Sequence, residues 1–337
     1  MTTPVIAFFN NKGGVGKTSL VYHLAWMYSD MGMRVVAADL DSQANLTAAF
    51  LEEERLEDLW ADGINTGTIF GSVQPLIRGT GDIADSRLEI VEDRLALLVG
   101  DLRLSGFEDH LSEVWPKCMD RDERAFRVTS AFWRVMQNAA AVHNADLILM
   151  DLGPNLGAIN RAALVATDYV VVPLSPDLFS MMGVHNLGPT LRRWRDDWKE
   201  RLPKNPVPDL SLPSGDMRPL GYVLLQHSVR LDRPVKAYER WIARIQEAYN
   251  RDILGLEDPE TVLVPVAYDP SCLGLLKHYR SLMPLAQEAH KPVFQLKPAD
   301  GAIGAHYRAV EEAWMDFGML ALKIAAKAGV TVPTSAP

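Results

Sequence analysis

Cysteine is scarce, with only Cys118 and Cys272 in 337 residues, far apart and in no C-x-x-C arrangement. That argues against a disulfide framework or a zinc site, and two ordinary buried thiols in a cytoplasmic protein are the expectation. No run of eighteen uncharged apolar residues occurs, so no membrane span is expected. The chain enters its first apolar run at once, without a basic leader, so no targeting segment is expected. Repeats and low-complexity tracts are also absent. Positive charge is short overall: the net charge is −9, which argues against a protein coated in nucleic acid. The deficit is uneven, because Thr190 to Arg251 holds 13 Lys/Arg against 8 Asp/Glu and leaves −14 for the remainder. A local basic face on an acidic body suits weak, salt-sensitive DNA binding, and it equally suits a solvated helix surface.

What the chain does have is apolar residues, 48% of the total, and 23% charged ones, the balance of a globular protein with a sizeable core. Val5-Ile6-Ala7-Phe8-Phe9 reads as a buried strand. It runs into Asn10-Asn11-Lys12-Gly13-Gly14-Val15-Gly16-Lys17-Thr18-Ser19, and a helical pattern follows through Leu20, His23, Leu24 and Met27. Strand, glycine-rich turn and helix form the context of a phosphate-binding loop. Its glycines let backbone N–H groups turn inward as an anion nest at a helix N-terminus. Lys17 would reach the terminal phosphates and the Thr18 hydroxyl would ligate Mg²⁺. The pattern G-x-x-x-x-G-K-[ST] fails at its first glycine, where Asn11 stands, and Lys12 adds a second cation at the mouth.

Further strands are expected at Arg34 to Asp39, Leu95 to Val99, Asp146 to Asp151, Tyr169 to Leu174, Leu220 to Leu225 and, last, Val262 to Val266. Residues 51–93, acidic and loosely patterned, read as short helices and loops. Helical patterns run over Phe107 to Val114, Arg124 to Val142, Met182 to about Leu202 and Pro234 to Tyr249. The proline-rich stretch 203–217 is longer than most loops in compact domains and reads as an insertion. One domain over 1–337 is expected, closing with a helix at about 303–328. Asp146 to Met150 followed by Asp151 has the Walker B form, a strand ending in a carboxylate poised to hold Mg²⁺ through a water. Asp39, two residues before Asp41, serves either as a turn or capping carboxylate or in a direct role. Basic residues interleave with aromatics at Arg192, Arg193, Trp194, Arg195 and Trp198. With Lys236, Arg240 and Arg244 they are candidate DNA contacts, the alternative being helix packing and solvated surface.

K-G-G-x-G-K-[ST] resembles the deviant Walker A motif of the ParA/MinD family of ATPases. The resemblance continues in Asp39-Leu40-Asp41-Ser42-Gln43-Ala44-Asn45-Leu46-Thr47, where the family pattern reads D-L-D-P-Q-x-N-x-T and only the proline differs. It extends to Leu152-Gly153-Pro154-Asn155-Leu156-Gly157, which stands where the family has T-P-P-S-L-G, and it becomes diffuse beyond residue 219. It implies an α/β, doubly wound, mostly parallel sheet with ATP at the strand C-termini. Lys12, Gly13, Gly14, Val15, Gly16, Lys17, Thr18 and Ser19 would hold the nucleotide, and Thr18, Asp41 and Asp151 would hold Mg²⁺. Lys12, Lys17 and Asp41 would serve catalysis, with Asp41 beside the attacking water. Lys12 would cross to the partner's phosphates in an ATP-sandwich homodimer, and Gly153 would sense the γ-phosphate. Gln226 stands at the corner where the family receives adenine.

The resemblance also implies a slow ATP hydrolase, stimulated by a ParB-like or other partner protein, that partitions DNA or a large cargo. It would bind DNA non-specifically and associate with the nucleoid. A membrane-cycling relative of MinD is the alternative, and it needs a C-terminal amphipathic helix. A specialised regulator outside partition is another. A reductase like the nitrogenase iron protein needs two cysteines beside the switch loops, a placement that Cys118 and Cys272 do not fit.

Overall fold

A computed structural model describes residues 2–60, 67–225, 235–256, 264–277, 279 and 281–333, with the side chains of 235–239 outside that description. Its strands are β1 (Val5–Phe8), β2 (Val35–Asp39), β3 (Glu89–Glu92), β4 (Leu95–Leu98), β5 (Leu147–Asp151), β6 (Tyr169–Leu174), β7 (Arg218–Leu224) and β8 (Cys272–Leu275). They form one eight-stranded sheet in the order β3-β4-β2-β5-β1-β6-β7-β8. Every pairing is parallel except β3 with β4. The central strands β1, β2, β4 and β5 are buried throughout, because a parallel sheet is covered on both faces. That is why they read as unbroken apolar runs rather than as alternating ones.

The first helices are α1 (Lys17–Asp30), α2 (Asn45–Phe50), α3 (Glu53–Trp60) and α4 (Ile69–Arg78). Then follow α5 (Glu108–Lys117), α6 (Glu123–Thr129), α7 (Ala131–His143), α8 (Ala158–Val165) and α9 (Leu178–Arg201). The chain closes with α10 (Val235–Ala248), α11 (Met283–Glu288) and α12 (Ala305–Ala328). Alternate strand residues feed two cores. Val5, Ala7 and Phe9 join the layer containing α5 to α9, while Ile6 and Phe8 join α1 and α12 on the opposite face.

Several expectations are corrected. Among the described residues the last strand is β8; of the strand expected at Val262 to Val266, positions 262 and 263 lie outside the described residues, and Val266 opens a 3-10 turn to Tyr268. A four-residue strand holding Gly274, packed under Leu320 of α12, carries little apolar periodicity to recognise. Residues 51–93 hold a strand as well as helices: β3 is an antiparallel edge with Ile90 exposed, so its pattern lacks a buried face. The pattern over Arg124 to Val142 breaks at Ser130, whose hydroxyl donates to the Phe126 carbonyl and turns the chain between α6 and α7. Helix α9 begins four residues before Met182, because the Asp177 side chain accepts from the Ser180 N–H and caps it.

Residues 205–217 are irregular but packed. Trp198 Nε1 donates to the Pro213 carbonyl at 3.0 Å, and Arg195 donates to the carbonyls of Asp216 and Met217. The C-terminal helix spans Ala305–Ala328, and no helix among the described residues is long and apolar enough to cross a membrane.

Candidate nucleotide site

The sheet brings β1, β2 and β5 side by side, with Phe8 opposite Asp151 and Asp39 opposite Asp151. The Gly13–Ser19 turn and the strand-end carboxylates therefore share the C-terminal edge, where doubly wound sheets bind ligands. Gly14 and Gly16 take φ values of 70° and 85°, which an L side chain resists, and this curls the backbone into a nest ahead of α1. Lys17 is buried, and burial, outweighing the attraction of Asp151 and Asp41, lowers its pKa. Its Nζ donates to the Lys12 carbonyl at 3.1 Å, so it lies folded within the loop.

Thr18 Oγ1 donates to Asp151 Oδ2 at 2.6 Å, joining the two residues expected to hold Mg²⁺. Asp151 is fully buried, and its other oxygen, Oδ1, has no hydrogen-bond partner among the described residues. Burial first, and then the charges of Asp39 and Asp41, push its pKa up to about 8. An orphaned carboxylate oxygen among like charges fits a hydrated divalent cation, which would remove the repulsion. No group of three or more His, Cys, Asp or Glu side chains among the described residues could hold a metal unaided. Thr18 and Asp151 are the residues that would hold Mg²⁺ here, Asp151 through a water.

Asp41 Oδ1 accepts from the Gln43 N–H at 3.0 Å and stands beside the Gly153 backbone, where a Cβ would lie 2.9 Å away. The strand-end residue left open above, Asp39, is structural. It is fully buried and accepts from the Thr47 N–H and hydroxyl, both at 2.8 Å, and from the Asp41 N–H. Burial pushes its pKa up to about 7, against the pull of those bonds. It thereby sets the turn that carries Asp41.

Lys12 is drawn away from the other lysine. Its Nζ meets Asp177 Oδ2 at 2.6 Å and lies 5.9 Å from the centre of the Phe179 ring. Sequence reasoning missed Asp177 as a partner, since 165 residues separate the two. It also missed Glu108, which caps α8, the helix that follows the 152–157 loop. Gln226 lies outside the described residues; a cleft near the loop is lined by Gly16, Ser19, Leu225, Leu276 and Tyr279.

The proposed DNA contacts divide. Arg192 donates to the Asp252 carbonyl and Arg195 to two loop carbonyls, so both fasten the fold instead of facing outward, and Trp194 and Trp198 are core. Arg193, Arg240 and Arg244 are exposed, and the Lys236 side chain lies outside the described residues. Both cysteines are buried, and burial raises their pKa values to about 11, as suits inert thiols.

A nest of backbone N–H groups before a helix, an enclosed lysine and a Thr–Asp pair joining the first turn of α1 to the end of β5 define a P-loop nucleotide-binding protein. A family model described as an AAA domain matches residues 3–204. An uncharacterized protein of Methanocaldococcus jannaschii, MJECL24, is 27% identical over 264 residues, 78% of this chain and 87% of that one. The sporulation initiation inhibitor protein Soj of Bacillus subtilis is 28% identical over 56% of this chain and 64% of its own length. Protein IncC of Escherichia coli is 30% identical over 58% of this chain, and only 47% of its length is spanned.

Among solved structures, protein DIP2308 of Corynebacterium diphtheriae superposes with a TM-score of 0.71 at 25% identity, covering 96% of this chain and 98% of that one. The McdA(D38A)–ATP complex of Cyanothece shares the fold at a TM-score of 0.64 and 14% identity, covering 99% of each chain. The chain belongs to the ParA/MinD family of P-loop ATPases.

Proposed function

We propose that this chain is a ParA-like ATPase that forms an ATP-sandwich homodimer and hydrolyses ATP, with Mg²⁺, to partition or position DNA or another large cargo. The observation that carries the reading is the separation of the two loop lysines. Lys17 is folded into the loop, whereas Lys12 sits at its mouth, about one-quarter exposed and paired with Asp177 beside the Phe179 ring. In this reading a second lysine reaches a partner's phosphates and stabilises charge on the leaving β–γ oxygens once the dimer forms. Leu178, Phe179 and Met182, exposed around Lys12, give that mouth an apolar rim suited to a second copy.

Within the site this reading assigns the following roles. The loop N–H groups and Lys17 bind the triphosphate, and Thr18 and Asp151 hold the metal. Asp41 orients water, and Gly153 reads the γ-phosphate. Bound Mg²⁺ would neutralise charge on the phosphates. Turnover is slow until a ParB-like or other partner engages the dimer. DNA binding, if it is the cargo step, falls to Arg193, Arg240 and Arg244 and depends on doubling those contacts in a dimer.

Membrane cycling, as in MinD, is disfavoured by α12. Its Phe317, Leu320 and Ile324 are buried, and Lys323 and Lys327 donate to carbonyls of Cys272, Leu220 and Pro270 at the sheet edge. Lys323 and Lys327 are therefore spent on the fold rather than offered to lipid headgroups, which leaves Arg308 as the exposed cation of the helix. The test is phosphate release together with duplex binding, with and without Mg–ATP, at two salt concentrations. ATP-dependent, sequence-independent binding that fades with salt supports partition. No duplex binding by a verified ATP dimer at low salt would point to a protein cargo.

A further inference from the structure

Helix α8 starts just after the loop that leaves the Walker B strand, and its N-terminal N–H groups need partners. The residues ahead of it, Asn155-Leu156-Gly157, supply no side-chain cap. The partner comes from 50 residues upstream. Glu108, the first residue of α5, accepts from the Ala158 N–H at 2.5 Å through Oε1 and from the Ile159 N–H at 2.8 Å through Oε2. The approach is close enough that a Cβ on Gly157 would lie 2.6 Å from Glu108 Oε1. One turn into the same helix, Asn160 Nδ2 donates to the Gly153 carbonyl at 2.8 Å and the Asn155 carbonyl at 2.6 Å. A second tie joins the helices, since Arg161 donates to the Leu111 carbonyl of α5 and lies over the Trp115 ring.

We infer that Glu108 is a positioning residue for ATP hydrolysis, holding the loop 152–157 at the γ-phosphate through the first turn of α8. The inference rests on the ATPase reading above. The physical chain is short. A carboxylate at a helix N-terminus satisfies two donors and complements the helix dipole. It also fills an anion site that would otherwise compete for phosphate a few residues from the nucleotide. With the first turn fixed, Asn160 fixes the Gly153 carbonyl, and Gly153 packs on Asp41. Both carboxylate oxygens of Glu108 are engaged by α8 amides, so its removal should act on turnover and leave binding alone.

The test uses the full chain and compares wild type, Glu108→Gln and Glu108→Ala. Nucleotide affinity, single-turnover hydrolysis and amide exchange at Ala158 and Ile159 are measured for each. We expect affinity within twofold of wild type and faster exchange at both amides. Hydrolysis should fall about tenfold in Glu108→Ala and less in Glu108→Gln, whose carbonyl keeps one acceptor. Wild-type hydrolysis in a folded Glu108→Ala protein whose two amides exchange freely would make the cap merely structural and overturn the inference. Should Glu108→Ala fail to fold, Glu108→Gln carries the decision: unchanged turnover with faster exchange overturns it. A wild-type protein that binds but never hydrolyses ATP would overturn the functional reading itself, and this inference with it.

Discussion

Gly153→Ala isolates the contact between the sensing loop and the carboxylate assigned to the attacking water. An added Cβ would stand 2.9 Å from Asp41 Oδ1 and 3.4 Å from its Cγ, while its contact with Asn155 Nδ2, at 3.6 Å, is ordinary. The conflict is therefore with one carboxylate oxygen. The same oxygen, Oδ1, accepts from the Gln43 N–H at 3.0 Å, so Asp41 yields by rotating away from that bond or by pushing the loop outward. Restoring ordinary contact takes about half an ångström. Since a 1 Å misplacement of a catalytic group costs roughly a hundredfold, half of that costs roughly tenfold in the chemical step. That is about 1.4 kcal/mol of barrier. The Gly13–Ser19 turn is untouched, so ATP affinity should stay within a factor of two or three. The assay pairs equilibrium binding of a fluorescent ATP analogue with single-turnover phosphate release, and a thermal melt controls for folding. Wild-type turnover at wild-type affinity would remove Asp41 from the catalytic step. A tenfold loss of affinity would instead mean that the loop shapes the phosphate cradle.

Four further outcomes are expected. Lys17→Ala should abolish nucleotide binding in the same fluorescence titration, because the backbone nest alone cannot offset the triphosphate charge. Asp177→Asn keeps a capping side chain on α9 while releasing Lys12 from its ion pair; a partly exposed pair is worth up to about 1 kcal/mol, so the ATP dimer should form at roughly two- to fivefold lower protein concentration by light scattering. Trp198→Ala empties a fully buried site stacked on Trp115, and urea unfolding should show a loss of about 3–5 kcal/mol. His23 gives a pH signature: it is buried between Ser19 and Phe317, and burial lowers its pKa to about 4. Below its unfolded value near 6.5 the unfolded chain takes up a proton that the folded chain refuses. Stability from this site is therefore intact above about pH 6.5 and declines as pH falls towards 4, by up to about 3 kcal/mol, and His23→Gln should flatten that limb of a pH–stability curve.

The sequence made legible those parts whose physics is local. Gly14 and Gly16 must be glycines because their backbone is left-handed, and a loop built on them before a helix announces itself. Strands buried on both faces, such as Val35–Asp39 and Leu147–Asp151, announce themselves by unbroken apolar runs ending in carboxylates. Contacts that depend on distant segments left no local trace. Nothing near Arg192 or Arg195 shows that their guanidinium groups end on backbone carbonyls of Asp252, Asp216 and Met217, which is why a basic, aromatic-rich helix looked like a nucleic-acid surface. The caps that Asp177 and Glu108 supply were hidden for two reasons. The expected helix began at Met182, so Asp177 was missed both as its cap and as the holder of Lys12, and Glu108 caps a helix 50 residues away. The edge strand β3 escaped because an exposed Ile90 and two glutamates carry no buried face.

The central claim is that ATP joins two copies of this chain through Lys12. Sedimentation velocity on Asp41→Ala, expected to bind ATP and turn it over slowly, tests it most directly when run with Mg–ATP, with Mg–ADP and with Lys12→Ala added. The account predicts a dimer with ATP, a monomer with ADP and a monomer again when Lys12 is replaced, although nucleotide stays bound. A protein saturated with ATP that sediments as a monomer, or a dimer indifferent to Lys12→Ala, would contradict it.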